Sequence, residues 1–159
     1  MIFVILGTQK FQMNRLVRLI DNLAGSGKLD MPVVAQIGQS DYEPVNLKFH
    51  RFLDKSEFDR LIAQAELIIT HGGVGSIVTA VKYRKPVIVV PRLAKYGEHV
   101  DDHQREIAEA FAKKGYALCY NDGDDMEELI SVSKCMDFPE YISQTDNISQ
   151  IINIYLGGI

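Results

Sequence analysis

Several features that decide functional class are missing from this sequence. No apolar stretch approaches the roughly 18 residues from which a membrane-spanning helix is read. The N-terminal run Met1-Ile2-Phe3-Val4-Ile5-Leu6-Gly7 has neither the basic lead nor the length of a secretory signal. The expectation is a chain that does not itself cross a bilayer. Cysteine is scarce: Cys119 and Cys135 stand alone with no CxxC-type pair, which fits two reduced thiols in a cytosolic protein. Positive charge is short as well. Lys and Arg number 17 against 21 Asp and Glu, the net charge is -4, and no basic run offsets it, so a nucleic-acid binder is not expected. Internal repeats and low-complexity segments are also absent. What remains, 159 residues with 47% apolar and 24% charged side chains, has ordinary globular composition and the length of one domain, 1–159.

Short apolar runs alternate with helical spacing along the chain. Strands are expected at 2–6, 33–37, 45–49, 67–70, 87–90 and 117–120. Helical patterns lie between them: one carries Leu16, Leu19, Ile20 and Leu23. A second carries Phe58, Leu61, Ile62 and Ala65, with Ser56 as its cap and Asp59 at the capping-box position. A third runs over about 77–83, and a fourth carries Ile107, Ala108 and Phe111 and is closed by Gly115. Two more patterns follow near 126–134 and 147–156. Segments 21–30 and 121–125 read as flexible connections. Alternation of this kind implies an α/β fold, a parallel sheet with helices on both faces. Ligands of such sheets bind at the carboxyl ends of strands, which points to the loops after residues 6, 70 and 90.

The most informative stretch is Thr70-His71-Gly72-Gly73-Val74-Gly75-Ser76, set between a strand and a helix. Glycines there let backbone approach a ligand closely and adopt positive φ, and free amides at the next helix start favour an anion such as a diphosphate. His71 and Ser76 offer side-chain hydrogen bonds to phosphate oxygens. The competing reading is a tight turn whose glycines only solve a packing problem. Two other glycine patterns mislead. Gly73-Val74-Gly75-Ser76-Ile77-Val78 lacks the third glycine of a dinucleotide fingerprint and follows the fourth strand. Gly25-Ser26-Gly27-Lys28 is followed by Leu29 where a P-loop has Ser or Thr. A second cluster, Pro91 to Gln104, crowds polar residues at the entrance of a helix. Asp101 and Asp102 there suit a helix N-terminus, and equally Asp102 and Gln104 suit sugar hydroxyls. His99 and His103 with two acids suggest a metal site only weakly, since no further ligands accompany them, and no metal is expected. Gly7-Thr8-Gln9 follows the first strand, as a plain turn or as a third wall of the same crevice.

At these residues the sequence resembles the donor-binding, C-terminal half of family-28-type GT-B glycosyltransferases. It is similar to the small soluble subunits of two-part enzymes: the cytosolic subunit of the eukaryotic transferase that adds N-acetylglucosamine to dolichol-linked sugar and, more nearly, bacterial exopolysaccharide and capsule transferase subunits. The resemblance covers about residues 1 to 120. It rests on Gly7-Thr8-Gln9, on His71 to Ile77, and on Lys85 to Arg92 running into Gly97 to Gln104. It implies a Rossmann-like, nucleotide-sugar-binding domain in which His71, Gly72, Gly73, Gly75 and Ser76 hold the diphosphate. By the same resemblance Asp102, His103 and Gln104 contact the donor sugar, and Gly7, Thr8, Gln9 and Arg92 line the donor site. Related enzymes grip the ribose with a glutamate where this chain has Thr79, so Thr79 or Glu98 is expected to take that place.

The implied reaction is inverting transfer from a UDP-sugar, as substrate and with no cofactor, to a hydroxyl of a lipid-linked saccharide acceptor. A cationic or hydrogen-bond-donating His71 and the helix amides stabilise the departing diphosphate, and Glu98, His99 and Asp101 are candidate bases. A membrane-associated acceptor-binding subunit is the implied partner, placing the chain in the cytoplasm at the inner face of the membrane. The stripe Ile148, Ile151, Ile152 and Tyr155 serves either that partner or the chain's own core. Two alternatives are a non-catalytic enhancer of such a transferase, which the Thr79 departure motivates, and an unrelated nucleotide-binding regulator.

Overall fold

A computed structural model describes residues 1–140. The helical pattern near 147–156 and its apolar stripe lie outside the described residues. Six parallel strands form one sheet: β1 (Ile2–Ile5), β2 (Val33–Gln36), β3 (Lys48–His50), β4 (Leu67–His71), β5 (Val87–Val90) and β6 (Leu118–Cys119). Their order across the sheet is β3-β2-β1-β4-β5-β6. Five helices accompany them: α1 (Asn14–Gly25), α2 (Lys55–Gln64), α3 (Val74–Lys82), α4 (His103–Lys113) and α5 (Met126–Cys135).

Side chains on a strand alternate faces, so a strand buried on both sides is apolar throughout. β1 and β5 are of this kind, and β4 is so up to Thr70 and His71 at its carboxyl end. Phe3, Ile5, Ile68, Val87 and Val89 point to one face, where α2, α3 and α4 supply Leu61, Ile62, Ile77, Ala80, Ile107, Ala108 and Phe111. Ile2, Val4, Leu6, Leu67, Ile69, Ile88 and Val90 point to the other, against Leu16, Val17 and Ile20 of α1 and Met126 and Ile130 of α5. The sheet grows in one direction through β1, β2 and β3, then restarts on the other side of β1 with β4. The chain therefore opens a crevice between the carboxyl ends of β1 and β4, the place where open α/β sheets receive ligands. Register is tight there: Ile5 pairs Thr70, and the Thr70 hydroxyl donates to the Ile5 carbonyl at 3.1 Å.

Several expected boundaries move, each for a local reason. The cap of α2 is Asp54, not Ser56. The Asp54 carboxylate accepts from the Glu57 amide at 2.9 Å, and Asp59 instead pairs with Lys55 at 2.8 Å. α3 begins at Val74, three residues before the apolar pattern does, because its glycine-rich first turn continues directly from β4. Gly115, at φ 79°, closes α4 by donating its amide to Ala112.

The third strand starts at Lys48 rather than Val45, and the first half of segment 21–30 is not a linker but the last turns of α1. Both corrections trace to Asp21, which is 1% exposed inside α1. Its carboxylate accepts from the Tyr42 hydroxyl at 2.6 Å and from the Val45 and Asn46 amides at 3.1 and 2.7 Å. Those amides are therefore withdrawn from the sheet, and Val45 is left exposed.

Burial by itself raises the Asp21 pKa, but the hydrogen bonds from Tyr42, Asn46 and Val45 outweigh it and hold the group below its ordinary 3.8. The stabilisation is thus complete above about pH 4 and is lost as pH falls through the lower folded value. Asp21→Ala is expected to lower unfolding stability by about 2 kcal/mol at pH 7, and by progressively less in acid. Urea titrations of both proteins at pH 7 and pH 3 check this; an equal loss at the two pH values contradicts it.

Candidate functional site

The mouth at the β1–β4 crevice is built from three loops, after β1, β4 and β5. The loop after β4 is the shortest. Only Gly72 and Gly73 separate His71 from the first residue of α3. Within the described residues, the amides of Val74, Gly75 and Ser76 have no hydrogen-bond acceptor, the state in which a helix leaves its first turn. Three outward amides and the positive end of the helix dipole make an anion site.

Glycine is required in this turn for close approach rather than for positive φ, which Gly72, Gly73 and Gly75 do not adopt. A β-carbon on Gly72 would lie 2.7 Å from the Gln104 β-carbon, and one on Gly73 would lie 2.2 Å from the His71 Cε1. Gly75 differs. A β-carbon there meets nothing within 4 Å, so the space above the second residue of α3 is open. Gly7 lies opposite, at φ 72°, and a β-carbon on it would come 2.6 Å from His71 Nε2.

Behind the turn lies Gln104, 5% exposed. Its Oε1 accepts from the Gly72 amide at 3.0 Å and from the Arg92 amide at 3.1 Å. The same amide group's Nε2 lies 3.3 Å from His71 Nδ1, and the Gly73 amide donates to Nδ1 at 3.1 Å. With two donors on Nδ1, the ring proton belongs on Nε2, which faces the Ser76 hydroxyl at 3.5 Å. Burial, helped by the neighbouring charges of Arg92 and His99, lowers the His71 pKa to about 4. Of the two expected states, cationic or hydrogen-bond-donating, the first is set aside: at pH 7 the imidazole is neutral and donates through Nε2 only.

Arg92 is likewise an internal group, 1% exposed. Its guanidinium donates to the carbonyls of Leu6 at 2.6 Å, Gln12 at 3.0 Å, Phe11 at 3.1 Å and Glu98 at 3.4 Å. It thereby ties the loop after β1 to the loop after β5, and it lies beneath the mouth of the crevice rather than in it. Glu98, expected as a base or a ribose contact, is fully buried. Its carboxylate takes Arg15 Nε at 3.0 Å, Arg15 Nη2 at 2.9 Å and the Leu93 amide at 3.0 Å. No substrate reaches it, so neither expected role holds. Thr79 spends its hydroxyl on the Gly75 carbonyl at 2.7 Å, inside its own helix.

The exposed rim carries the rest. Thr8 and Gln9 are on the surface of the loop after β1. His99 Nδ1 lies 3.2 Å from Asp101 Oδ1, and its ring packs against Phe11 with centroids 5.2 Å apart. Asp101 also accepts from the His103 amide at 3.0 Å, and that bond, with the adjacent histidines, keeps its pKa below the carboxylate norm. Asp102 accepts from the Ala94 amide at 2.8 Å, and His103 lies 3.3 Å from Glu106. The structure thus brings Gly7, His71, Gly72, Gly73, Gly75, Ser76 and Gln104 together, and places Asp102 and His103 at the start of α4. Arg15 and Phe11 are the residues that sequence reasoning missed. Nothing in the spacing singles out Arg15, since its partner lies 83 positions away.

Residues 1–151 match the C-terminal domain of glycosyltransferase family 28. The chain is 36% identical over 96 residues to the UDP-N-acetylglucosamine transferase subunit ALG13 of Candida albicans, covering 60% of this chain and 27% of that protein. It is 30% identical over 134 residues to the UDP-N-acetylglucosamine--N-acetylmuramyl-(pentapeptide) pyrophosphoryl-undecaprenol N-acetylglucosamine transferase of Clostridium botulinum, covering 84% of this chain and 33% of the relative. Its fold is that of an ALG13 solution structure determined by NMR, with a TM-score of 0.57 at 17% identity, covering 98% and 94% of the two chains. The chain spans about a third of the length of the curated relatives it matches.

Two outcomes follow from the buried network. The His71 imidazole is expected to be the Nε2–H tautomer at pH 7 and to titrate near 4; nitrogen-15 NMR of the ring checks this, and a midpoint near 6.5 contradicts it. Because the unfolded chain takes up that proton at higher pH, His71 subtracts stability as pH falls from about 6.5 toward 4. Gln104→Ala is expected to cost about 1–3 kcal/mol by leaving the Gly72 and Arg92 amides unpaired, as read from urea midpoints. An unchanged midpoint contradicts it.

Proposed function

This chain belongs to glycosyltransferase family 28 through its C-terminal domain, and from that membership we propose that it is the donor-binding subunit of a two-part, inverting transferase. The donor is a UDP-sugar and the acceptor a lipid-linked saccharide, in exopolysaccharide or capsule assembly. A membrane-associated subunit supplies the acceptor site and holds this chain at the cytoplasmic face. Among the described residues no helix is long and apolar enough to cross a membrane.

The observation that carries the proposal is the trio of unpaired amides at Val74, Gly75 and Ser76, open to solvent above Gly75 and placed at the β1–β4 crevice. In the reaction the acceptor oxygen forms a bond to the anomeric carbon as the bond from that carbon to the diphosphate breaks. The electron pair leaves with UDP, and negative charge grows on the diphosphate. Fixed amide dipoles need no reorganisation to meet that charge, and removal of one such donor typically costs about 10²–10³ in rate. The neutral His71 holds the Gly73 amide just ahead of them and offers Nε2–H beside Ser76. For the acceptor proton this chain offers His99, oriented by Asp101 and packed on Phe11. Asp101, with its depressed pKa, serves better as the orienting partner than as the base.

Gly75→Val separates binding from folding, because the added side chain enters only the space a diphosphate would occupy. The variant is expected to keep the parent's melting temperature within a few degrees and to lose at least tenfold in UDP affinity by titration calorimetry, with partner co-expressed. Equal UDP affinity in the two proteins, or no UDP binding by either, contradicts the proposal. Preference for ATP or NAD over UDP points to the regulator reading instead. Full transferase activity in a Gly75→Val complex points to the enhancer.

A further inference from the structure

A cavity of about 240 Å³ lies beside the candidate donor site, between the loop after β5 and the loop after β6. The first turn of α4 separates the two. Gln104 turns from it toward the β4 turn, whereas Asp102 and Arg105 turn into the cavity. The far wall is Tyr120, Asn121 and Asp122, and Pro91 and Leu93 form an apolar floor.

Among the described residues the cations around this cavity are already paired, and Asp102 is the one lining acid without an ion pair. Lys95 pairs with Asp122 at 2.7 Å, Arg15 with Glu98 at 2.9 Å, and Arg105 Nε with Glu109 at 3.2 Å. An anionic ligand therefore finds no uncompensated cation. Hydrogen-bonding capacity, in contrast, is unspent. Among the described residues the Tyr120 hydroxyl, on a side chain only 8% exposed, has no hydrogen-bond partner. Asp102 engages one oxygen only, with the Ala94 amide, and Arg105 engages only Nε. Donors and acceptors thus alternate above an apolar floor and an aromatic ring. A neutral ring of hydroxyls with one C–H face matches that lining, because each hydroxyl both donates and accepts and the C–H face lies on Pro91, Leu93 and the Tyr120 ring. The cavity falls below the roughly 300–1,000 Å³ of pockets that take drug-sized ligands, which suits a single ring.

We propose that this cavity is a pyranose subsite for a saccharide distinct from the donor's own sugar, namely a hexose unit of the acceptor glycan that extends past the acceptor site of the membrane-associated subunit. The proposal rests on the transferase reading for the identity of that glycan, while the subsite itself rests on the cavity alone. Tyr120 and Arg105 supply hydrogen bonds to ring hydroxyls, and Asp102 accepts from a neighbouring one.

Saturation-transfer NMR on the full chain tests it, with the methyl pyranosides of glucose, galactose, N-acetylglucosamine and glucuronic acid as probes. At least one neutral glycoside is expected to receive saturation, to keep it when UDP-glucose, UDP-galactose or UDP-N-acetylglucosamine is added in excess, and to lose at least fivefold in Tyr120→Phe and in Arg105→Gln. Both substitutions preserve the bulk of the side chain, and unchanged melting temperatures separate lost contacts from lost fold. No transfer to any glycoside overturns the proposal, as does transfer that neither substitution weakens. Loss of transfer on adding a UDP-sugar also overturns it, since the donor's own sugar then fills the cavity. UDP binding on the same samples reports separately on the transferase reading: its absence sinks that reading and leaves the saccharide result standing.

Discussion

A turn that offers amides to an anion must leave them unpaired while the polar groups directly behind them are held by partners. In this fold that second condition falls on Gln104. One buried carboxamide accepts from the amides of Gly72 and Arg92 and meets Nδ1 of His71, so it joins the turn after β4, the exit of β5 and the first turn of α4. Ordinary side chains cannot stand where Gly72 and Gly73 stand, because the Gln104 β-carbon and backbone carbonyl, and the His71 imidazole, already occupy that volume. The glycines of the motif are thus the imprint of two side chains packed behind them. Only Gly75 is free of that constraint and faces open space.

The electrostatics follow from the same packing. A charged imidazole at this depth would carry the desolvation cost of a buried ion, and both nitrogens would have to donate. Two amide donors on Nδ1 forbid that, so His71 remains neutral and rigid. What the turn offers an anion is therefore backbone dipoles and one Nε2–H rather than a formal charge. Arg92 extends the arrangement to the loop after β1. Its guanidinium gathers four carbonyls from two loops, and the Arg15–Glu98 pair closes the opposite side. The two loops that border the crevice are therefore set before any ligand arrives, as preorganised electrostatic stabilisation requires.

Much of the fold was legible in the sequence because its signals are local. Apolar runs such as 87–90 fall short of helix length, and the spacing of Ile107, Ala108 and Phe111 is helical, so strand and helix types follow without tertiary knowledge. The position of the glycine turn after the fourth strand was legible for the same reason. What escaped depends on partners distant in sequence. The late start of β3 is due to Asp21, more than twenty positions away, which captures the Val45 and Asn46 amides. Glu98 and Arg92 carry the chemistry of exposed site residues in a polar segment, yet Arg15 and a ring of carbonyls draw them inside. Residue type and spacing identified the neighbourhood of the site; which side of the surface each group occupies was decided by contacts that spacing does not encode.

The central claim is that the unpaired amides heading α3 hold a diphosphate. Amide nitrogen–proton correlation spectra of the uniformly labelled chain, recorded during titration with UDP, report on those groups directly. The account predicts that the largest shifts fall on Val74, Gly75 and Ser76, with smaller ones at Gly7 and Gly73, and that uridine without phosphates leaves them unmoved. Shifts concentrated elsewhere, with the three α3 amides silent at saturation, would contradict it.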